Sequence, residues 1–305
     1  MTVTVRAAAK INLLLGVGAP RPDGFHTLVT VYQAVSLYDD VTVAPAPELT
    51  VETAVATYLD EAHLPVPGHN IIDRAAAALA GHHGRPVTAR VQVDKSIPIA
   101  GGLAGGSADG AAALVALDRL HDLQTSDEDL LMLAAGLGSD VPFALVGATA
   151  LGEGHGEIVT PVDDAGSWWW VVVPSADGMS TPAVYRHYDE LRPDAPLLPD
   201  PPDEIVKALA DGDPHQLAAA LHNDLEQAAL DLRPDLAQLI VEGVDAGALR
   251  GLVSGSGPTC VFLCESADHA RTVAGTLSAS GPPERVVLVA HGPVAGAHLV
   301  DAPTA

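Results

Sequence analysis

Residues 97–113 run Ile-Pro-Ile-Ala-Gly-Gly-Leu-Ala-Gly-Gly-Ser-Ala-Asp-Gly-Ala-Ala-Ala, and their types constrain the chemistry of the chain more than any other stretch. At Gly101, Gly102, Gly105 and Gly106 no side chain stands between the backbone N–H groups and a bound anion. The alanine-rich run that follows reads as a helix whose N-terminal dipole points at the same anion. Ser107 sits at the helix entry, where its hydroxyl can cap the helix or reach a phosphate oxygen or a metal. Two familiar phosphate motifs are absent. A P-loop ends in Gly-Lys-Ser/Thr, and no Lys lies between Lys95 and Lys207. A dinucleotide turn spaces its glycines as Gly-x-Gly-x-x-Gly, which Gly101 to Gly106 do not keep.

Four other short segments carry reactive or recognition groups: Ala9-Lys10-Ile11-Asn12-Leu13, Asp23-Gly24-Phe25-His26-Thr27-Leu28, Gly138-Ser139-Asp140-Val141-Pro142 and Ser254-Gly255-Ser256-Gly257. Each taken singly has a plain structural reading: a solvated edge lysine, a hairpin turn, a helix cap, a tight turn. The chain has three lysines, Lys10, Lys95 and Lys207, and two of them flank these segments.

The elements that must position these groups follow from periodicity. Residues 3–8 and 11–17 alternate or run apolar as strands do, and residues 27–46 supply two more strand candidates after the Asp23-Gly24 turn. Asn70 reads as the N-cap of a helix. Val87, Ala89, Val91 and Val93 alternate into the glycine loop, and residues 108–120 read as a helix with Ala113, Leu114, Leu117 and Leu120 on its apolar face. Ser126 and Asp129 open a third helix as a capping box, and Pro142 favours a new helix start. A boundary falls at residues 161–167, dividing a unit over 1–163 from one over 164–305. In the second unit, alternate members of Trp168-Trp169-Trp170 pack into a core, and residues 182–248 are largely helical with proline-rich breaks. A strand near 249–254, the strand Cys260–Cys264, a helix over 267–279 and a strand over 285–290 complete a split β-α-β, ferredoxin-like order.

In this order and spacing the five segments resemble the GHMP small-molecule kinases, over nearly the whole chain. Within that family, Ala-Lys-Ile-Asn combined with Asp-Gly-Phe-His resembles the branch whose acceptor is a cytidylated methylerythritol of the non-mevalonate isoprenoid route; homoserine or mevalonate is the alternative acceptor. The resemblance implies a two-domain α+β fold: an N-terminal β-α domain and a C-terminal ferredoxin-like domain, with the active site in the cleft between them. It implies ATP and Mg²⁺, held by Gly101, Gly102, Leu103, Ala104, Gly105, Gly106 and Ser107, with Asn70, Lys95 and Pro98 near the ribose or adenine. Lys10 and Asp140 would be the catalytic pair. Lys supplies a compact positive charge for the transferred phosphoryl group, and Asp can accept or orient the alcohol proton. Asn12 and Thr181 would contact the acceptor. Phe25 and Tyr185 would sandwich the cytosine ring while His26 bonds its edge. Ala104, Ala108, Gly110 and Phe25 stand where many members have Gly, Ser, Ala and Tyr, so nothing rests on a hydroxyl at position 108.

Composition narrows the partners. A net charge of −24 over 305 residues argues against nucleic acid, whose phosphates demand clustered Lys and Arg. Loop amides, one lysine and a divalent cation still suffice for a nucleotide. No run of eighteen apolar residues spans a membrane, and the N-terminus, with Asn12 inside its apolar stretch, reads as folded structure and not a signal peptide. Cys260 and Cys264 are four apart in a strand, so both face one side and belong in a core. Few cysteines and no targeting signal place the chain in a reducing cytoplasm.

Overall fold

A computed structural model describes residues 2–64, 70–99, 101–175 and 177–300. The first half is an eight-stranded sheet with helices on it. Its strands are β1 (Val3–Pro20), β2 (His26–Ala44), β3 (Thr50–Val55), β4 (Arg90–Lys95), β5 (Thr149–Gly154) and β6 (Ile158–Pro161), joined by two later strands. Its helices are α1 (Ile71–His83), α2 (Gly105–His121), α3 (Asp127–Leu137) and α4 (Val141–Val146). The second half contains β7 (Trp168–Val173), α5 (Thr181–Leu191), α6 (Asp203–Asp211), α7 (Pro214–Ala220), β8 (His222–Asn223), α8 (Glu226–Leu232), α9 (Pro234–Asp245), β9 (Arg250–Val253), β10 (Cys260–Cys264), α10 (Ala267–Ser280), β11 (Leu288–Gly292) and β12 (His298–Val300).

The strand candidates read separately at each end of the N-terminal region are continuous. β1 and β2 pair antiparallel along nearly their whole length, from Val3 opposite Val43 to Pro20 opposite His26. Register shifts at Ala8/Ala9, Asn12/Leu14 and Val17/Pro20 interrupt the alternation, so one bulged strand looks in sequence like two. The first of these shifts lies just before Lys10, and the second straddles the stretch after Asn12.

α2 starts at Gly105, three residues before the expected start at 108, and is buried on almost every side. Ala108, Ala111, Ala112, Leu114 and Leu117 are fully buried, because α2 lies on β1 and β2 with α1, α3 and α4 packed around it. Alanine and glycine serve there because larger side chains would hold the helix off the sheet. Gly110, for example, has Ile71 directly against it.

The second sheet has the order β11-β7-β10-β9, antiparallel throughout, which is the ferredoxin-like arrangement. Trp168 and Trp170 are buried, while Trp169 lies partly exposed against His291, so the tryptophan run packs a core and builds no platform. Cys260 and Cys264 are buried and free, and burial pushes both thiols up to about 12. Two segments of the 164–305 stretch cross back to the first sheet. β8 pairs parallel with β1, and β12 pairs antiparallel with β1. One apolar core runs through both halves, from Ile11 and Val31 to Trp170 and Leu263.

Candidate active site

β4 delivers the chain into the glycine loop, and the loop delivers it into α2. Ala104 occupies the N-cap with φ 55°, and no side chain caps the helix. Ser107 therefore lies inside the first turn and does not act as a cap. The first-turn amides face the cleft without a side-chain partner, which is the state in which a helix N-terminus binds an anion. Gly102 has φ +81°, and a Cβ on it would lie 2.5 Å from the Ser254 carbonyl oxygen. Only glycine lets this loop touch the 254–257 turn so closely. Across the same contact the Thr259 N–H donates to the Gly101 carbonyl at 3.2 Å. Leu103 departs from its expected place: its side chain is 0% exposed in the core. It serves the site through its carbonyl, which accepts the Lys10 N–H at 3.1 Å.

Lys10 projects from β1 and is 7% exposed. Its Nζ donates to Asn12 Oδ1 at 2.7 Å and stands 3.7 Å from Asp140 Oδ2. The Asn12 amide is held in turn: its Nδ2 donates to Thr30 Oγ1 at 2.8 Å, and Thr30 Oγ1 donates to the Leu14 carbonyl at 2.7 Å. This relay presents an oxygen, not an N–H, to the lysine. Asp140 occupies the N-cap position of α4, with proline in the first turn, yet its side chain makes no capping hydrogen bond. Its carboxylate is left for the cleft. The 254–257 turn closes this side, and Asn223 fixes it by donating from Nδ2 to the Val253 and Gly255 carbonyls, both at 2.8 Å.

Lys95 lines the cleft, but its ammonium is committed beneath the loop. Nζ donates to Asp39 Oδ2 at 2.6 Å and to Asp109 Oδ2 at 2.7 Å. Asp39 Oδ1 also accepts the N–H groups of Ser96 and Ile97, at 2.6 and 2.8 Å, which pins the start of the loop. One ammonium cannot neutralise two buried carboxylates. Burial first, and the Asp39 charge with it, push Asp109 up to about 8 against the pull of Lys95. Burial works to lower the Lys95 ammonium, but the two carboxylates outweigh it and the net shift is upward. Asn70 caps α1, with Oδ1 accepting the Ile72 N–H at 3.0 Å. Asn70 and Pro98 both line the cleft beside Lys95.

The groups expected to meet the acceptor are side chains. His26, at the start of β2, places Nε2 2.8 Å from Asp189 Oδ1 on α5. Its ring lies 4.9 Å from that of Tyr185. Phe25 is 59% exposed at the rim and stacks on His155, with centroids 4.9 Å apart and planes 18° from parallel. The two rings expected to sandwich a base are thus each paired with a histidine. Thr181 bonds Ser256 at 2.8 Å between hydroxyls, and Tyr185 and Thr181 both line the cleft. Sequence reading missed His155, Tyr32, Asp39, Asp109 and Asp189. His155 lies in the β5–β6 turn, and nothing in Gly-His-Gly tells its direction. The others meet the site only through contacts across 14 or more residues of chain.

Lys10, Asn12, Asp140, the first turn of α2, Thr181 and Tyr185 line one cleft of about 700 Å³, while Phe25 and His26 stand outside its lining. An uncapped helix behind a glycine loop, facing a Lys–Asp pair on a two-sheet scaffold, is the architecture of a small-molecule kinase. The chain matches the model of the GHMP kinases N terminal domain over residues 70–148 and that of the GHMP kinases C terminal over residues 205–283, and it belongs to the GHMP kinase family. It is similar to the 4-diphosphocytidyl-2-C-methyl-D-erythritol kinase of Nocardioides sp., 66% identical over 297 residues, covering 97% of this chain and 99% of that one. The protein of the same name from Thermobifida fusca is 53% identical over 304 residues, covering 98% of each. Among solved structures, that of a 4-(cytidine 5'-diphospho)-2C-methyl-D-erythritol kinase superposes with a TM-score of 0.76 at 32% identity, covering 95% of this chain and 98% of the other. A homoserine kinase from Cytophaga hutchinsonii, at 18% identity and a TM-score of 0.74, shares the fold.

Proposed function

We propose that the chain transfers the γ-phosphate of ATP to the 2-hydroxyl of the erythritol moiety of 4-diphosphocytidyl-2-C-methyl-D-erythritol, a step towards isoprenoid precursors on the non-mevalonate route. The observation that carries the reading is the Lys10–Asp140 pair, 3.7 Å apart, opening on the same cleft as the uncapped N-terminus of α2. Relatives that carry the name of this activity at 50–66% identity over nearly the full length support the choice of acceptor.

In phosphoryl transfer the attacking hydroxyl, the phosphorus and the leaving oxygen must lie in line, and charge on the equatorial oxygens must be met. The α2 amides hold the phosphates. Lys10, oriented by Asn12 and only loosely paired with Asp140, meets the transferred group. Asp140 accepts or orients the proton of the alcohol. Mg²⁺, when bound, supplies further charge neutralisation on the phosphate oxygens. Among the described residues no group of three or more His, Cys, Asp or Glu could hold a metal. When bound, the ion would be held mainly by the nucleotide phosphates, with the Ser107 hydroxyl as a protein donor.

Selection of the base rests on His26. An aspartate only accepts, so in the neutral ring Nε2 carries the hydrogen given to Asp189, and Nδ1 is left as an acceptor. An acceptor suits the exocyclic amine of cytosine and rejects the carbonyl of uracil. On this reading the enzyme works in the cytoplasm, where ATP is supplied; no helix among the described residues is long and apolar enough to cross a membrane.

The test is coupled detection of ADP release with the cytidylated substrate, its uridine analogue, uncytidylated methylerythritol phosphate, homoserine and mevalonate. Turnover is expected with the cytidylated substrate alone. Equal turnover with the uridine analogue removes the cytosine-reading pocket, and turnover with homoserine or mevalonate removes the choice of acceptor.

A further inference from the structure

Tyr32 lies on β2, is 2% exposed, and has no part in the reading above. Its hydroxyl donates to Asp140 Oδ1 at 3.1 Å across 108 residues of chain. Its ring packs on Phe143 of α4 with centroids 4.8 Å apart, and Lys10 Nζ lies 5.7 Å from the ring centroid. The β5–β6 hairpin leaves room for it. A Cβ on Gly152 would come within 2.5 Å of the tyrosine ring, and a Cβ on Gly156 would run into its hydroxyl. Ring, hydroxyl and carboxylate are therefore held from three elements, β2, the β5–β6 hairpin and α4.

Two features of Asp140 give this contact a purpose. Its carboxylate does not cap its own helix. Lys10 is close enough to attract Oδ2 but, at 3.7 Å, too far for a hydrogen bond. Among the described residues the Tyr32 hydroxyl is the hydrogen-bond donor that reaches the Asp140 side chain.

We infer that Tyr32 is a positioning residue: by holding Oδ1 it turns Oδ2 of Asp140 towards Lys10 and the incoming acceptor hydroxyl. A phenol suits the task. Burial, and then the Asp140 charge, hold the phenol protonated well above its ordinary range, so it remains a donor throughout the working pH. As a donor to the ionised form it also favours the charged carboxylate that the reaction needs. The inference rests on Asp140 acting at the acceptor hydroxyl.

The experiment is Tyr32→Phe in the full-length protein, a change that keeps the ring in the space left by Gly152 and Gly156 and removes one oxygen. Thermal melting confirms the fold. We expect kcat to fall about tenfold, the order of one lost hydrogen bond to a charged group. KM for ATP and for the cytidylated acceptor should stay within about twofold, since a positioning group acts on the chemical step. In an Asp140→Asn background the same change should cost nothing further. Equal loss in both backgrounds, or a normal kcat in the single variant, overturns the inference and leaves Tyr32 a packing residue. Normal turnover of Asp140→Asn alone overturns the reading of Asp140 and the inference with it.

Discussion

Two buried lysines face one cleft, and they do opposite work. Lys95 is held at 2.6 and 2.7 Å by two carboxylates, one of which, Asp39, also grips the loop backbone. Lys10 has one amide oxygen at 2.7 Å and one carboxylate at 3.7 Å. A fully compensated ammonium has no charge to spare for a ligand and serves as a brace. A partly compensated one stays attractive to phosphate. The difference teaches that a lysine in a nucleotide cleft is read by counting what already neutralises it. The resemblance placed Lys95 near the ribose or adenine; the structure shows its ammonium committed as a strut beneath the glycine loop.

Substitutions at the two sites should separate activity from stability. The largest effect is expected at Asp140 and Lys10. Asp140→Asn or Lys10→Ala should lower kcat by roughly 10²- to 10⁴-fold, the usual worth of a positioned acid–base group, with the melting temperature nearly unchanged. Steady-state kinetics beside thermal melts decides this, and near-normal turnover in either variant would break the comparison from the Lys10 side.

Lys95→Met should do the reverse. It leaves two carboxylates buried without their cation, at a cost on the order of 3–5 kcal/mol in denaturant unfolding. Asp39→Asn keeps one oxygen for the Ser96 and Ile97 N–H groups but sets an NH2 donor against the Lys95 ammonium, so it too should destabilise the fold. If Lys95→Met unfolds at the wild-type denaturant midpoint, the brace is no brace.

A third substitution sharpens the picture of the loop between them. A Cβ on Gly105 would press on Ile97 at 3.0 Å, but one on Gly106 meets nothing within 4 Å. Gly106→Val therefore projects only into the space assigned to phosphate. It should weaken ATP binding by about tenfold or more, as overpacking a close contact does, and leave the affinity for the cytidylated acceptor unchanged. Calorimetry with each ligand distinguishes that result from an equal loss of both, which would indicate a folding defect.

The smallest effect concerns pH. Asp109, pushed up to about 8 in the folded chain, ionises near 4 when unfolded. Below about pH 4 both states hold the proton. Between there and about 8 the folded state holds a proton that the unfolded state has lost, so stability falls as pH rises through this window and levels off above it. Asp109→Asn should flatten that part of the curve, a difference of a few degrees in melting temperature across pH 5 to 9. A variant with the wild-type slope would show that another group sets it.

Legibility followed the kind of atom involved. The glycine loop could be read because its function needs backbone amides and missing side chains, and both are written in the residue types. The α4 start at Pro142 and the α1 cap at Asn70 were legible because capping acts within one turn. The start of α2 was misplaced by three residues, since Gly105 and Gly106 have poor helix propensity and yet form its first turn. The breaks read into β1 and β2 were bulges, which only the partner strand reveals. Phe25 and Tyr185 were singled out by residue type, but their partners His155 and His26 depended on where a turn and a helix came to rest.

Periodicity, the five motifs and the family resemblance they carry determined the fold class and singled out the glycine loop, Lys10 and Asp140 as the groups to watch. Only the tertiary structure decided which lysine is free, that the Asp140 carboxylate leaves its own helix for the cleft, and that Tyr32 holds it. The reason is electrostatic and geometric. A charge is available or spent according to what stands within about 4 Å of it. Apart from Asn12, which follows Lys10 by two residues, those neighbours come from distant segments, brought together by two packed sheets and not by any local pattern.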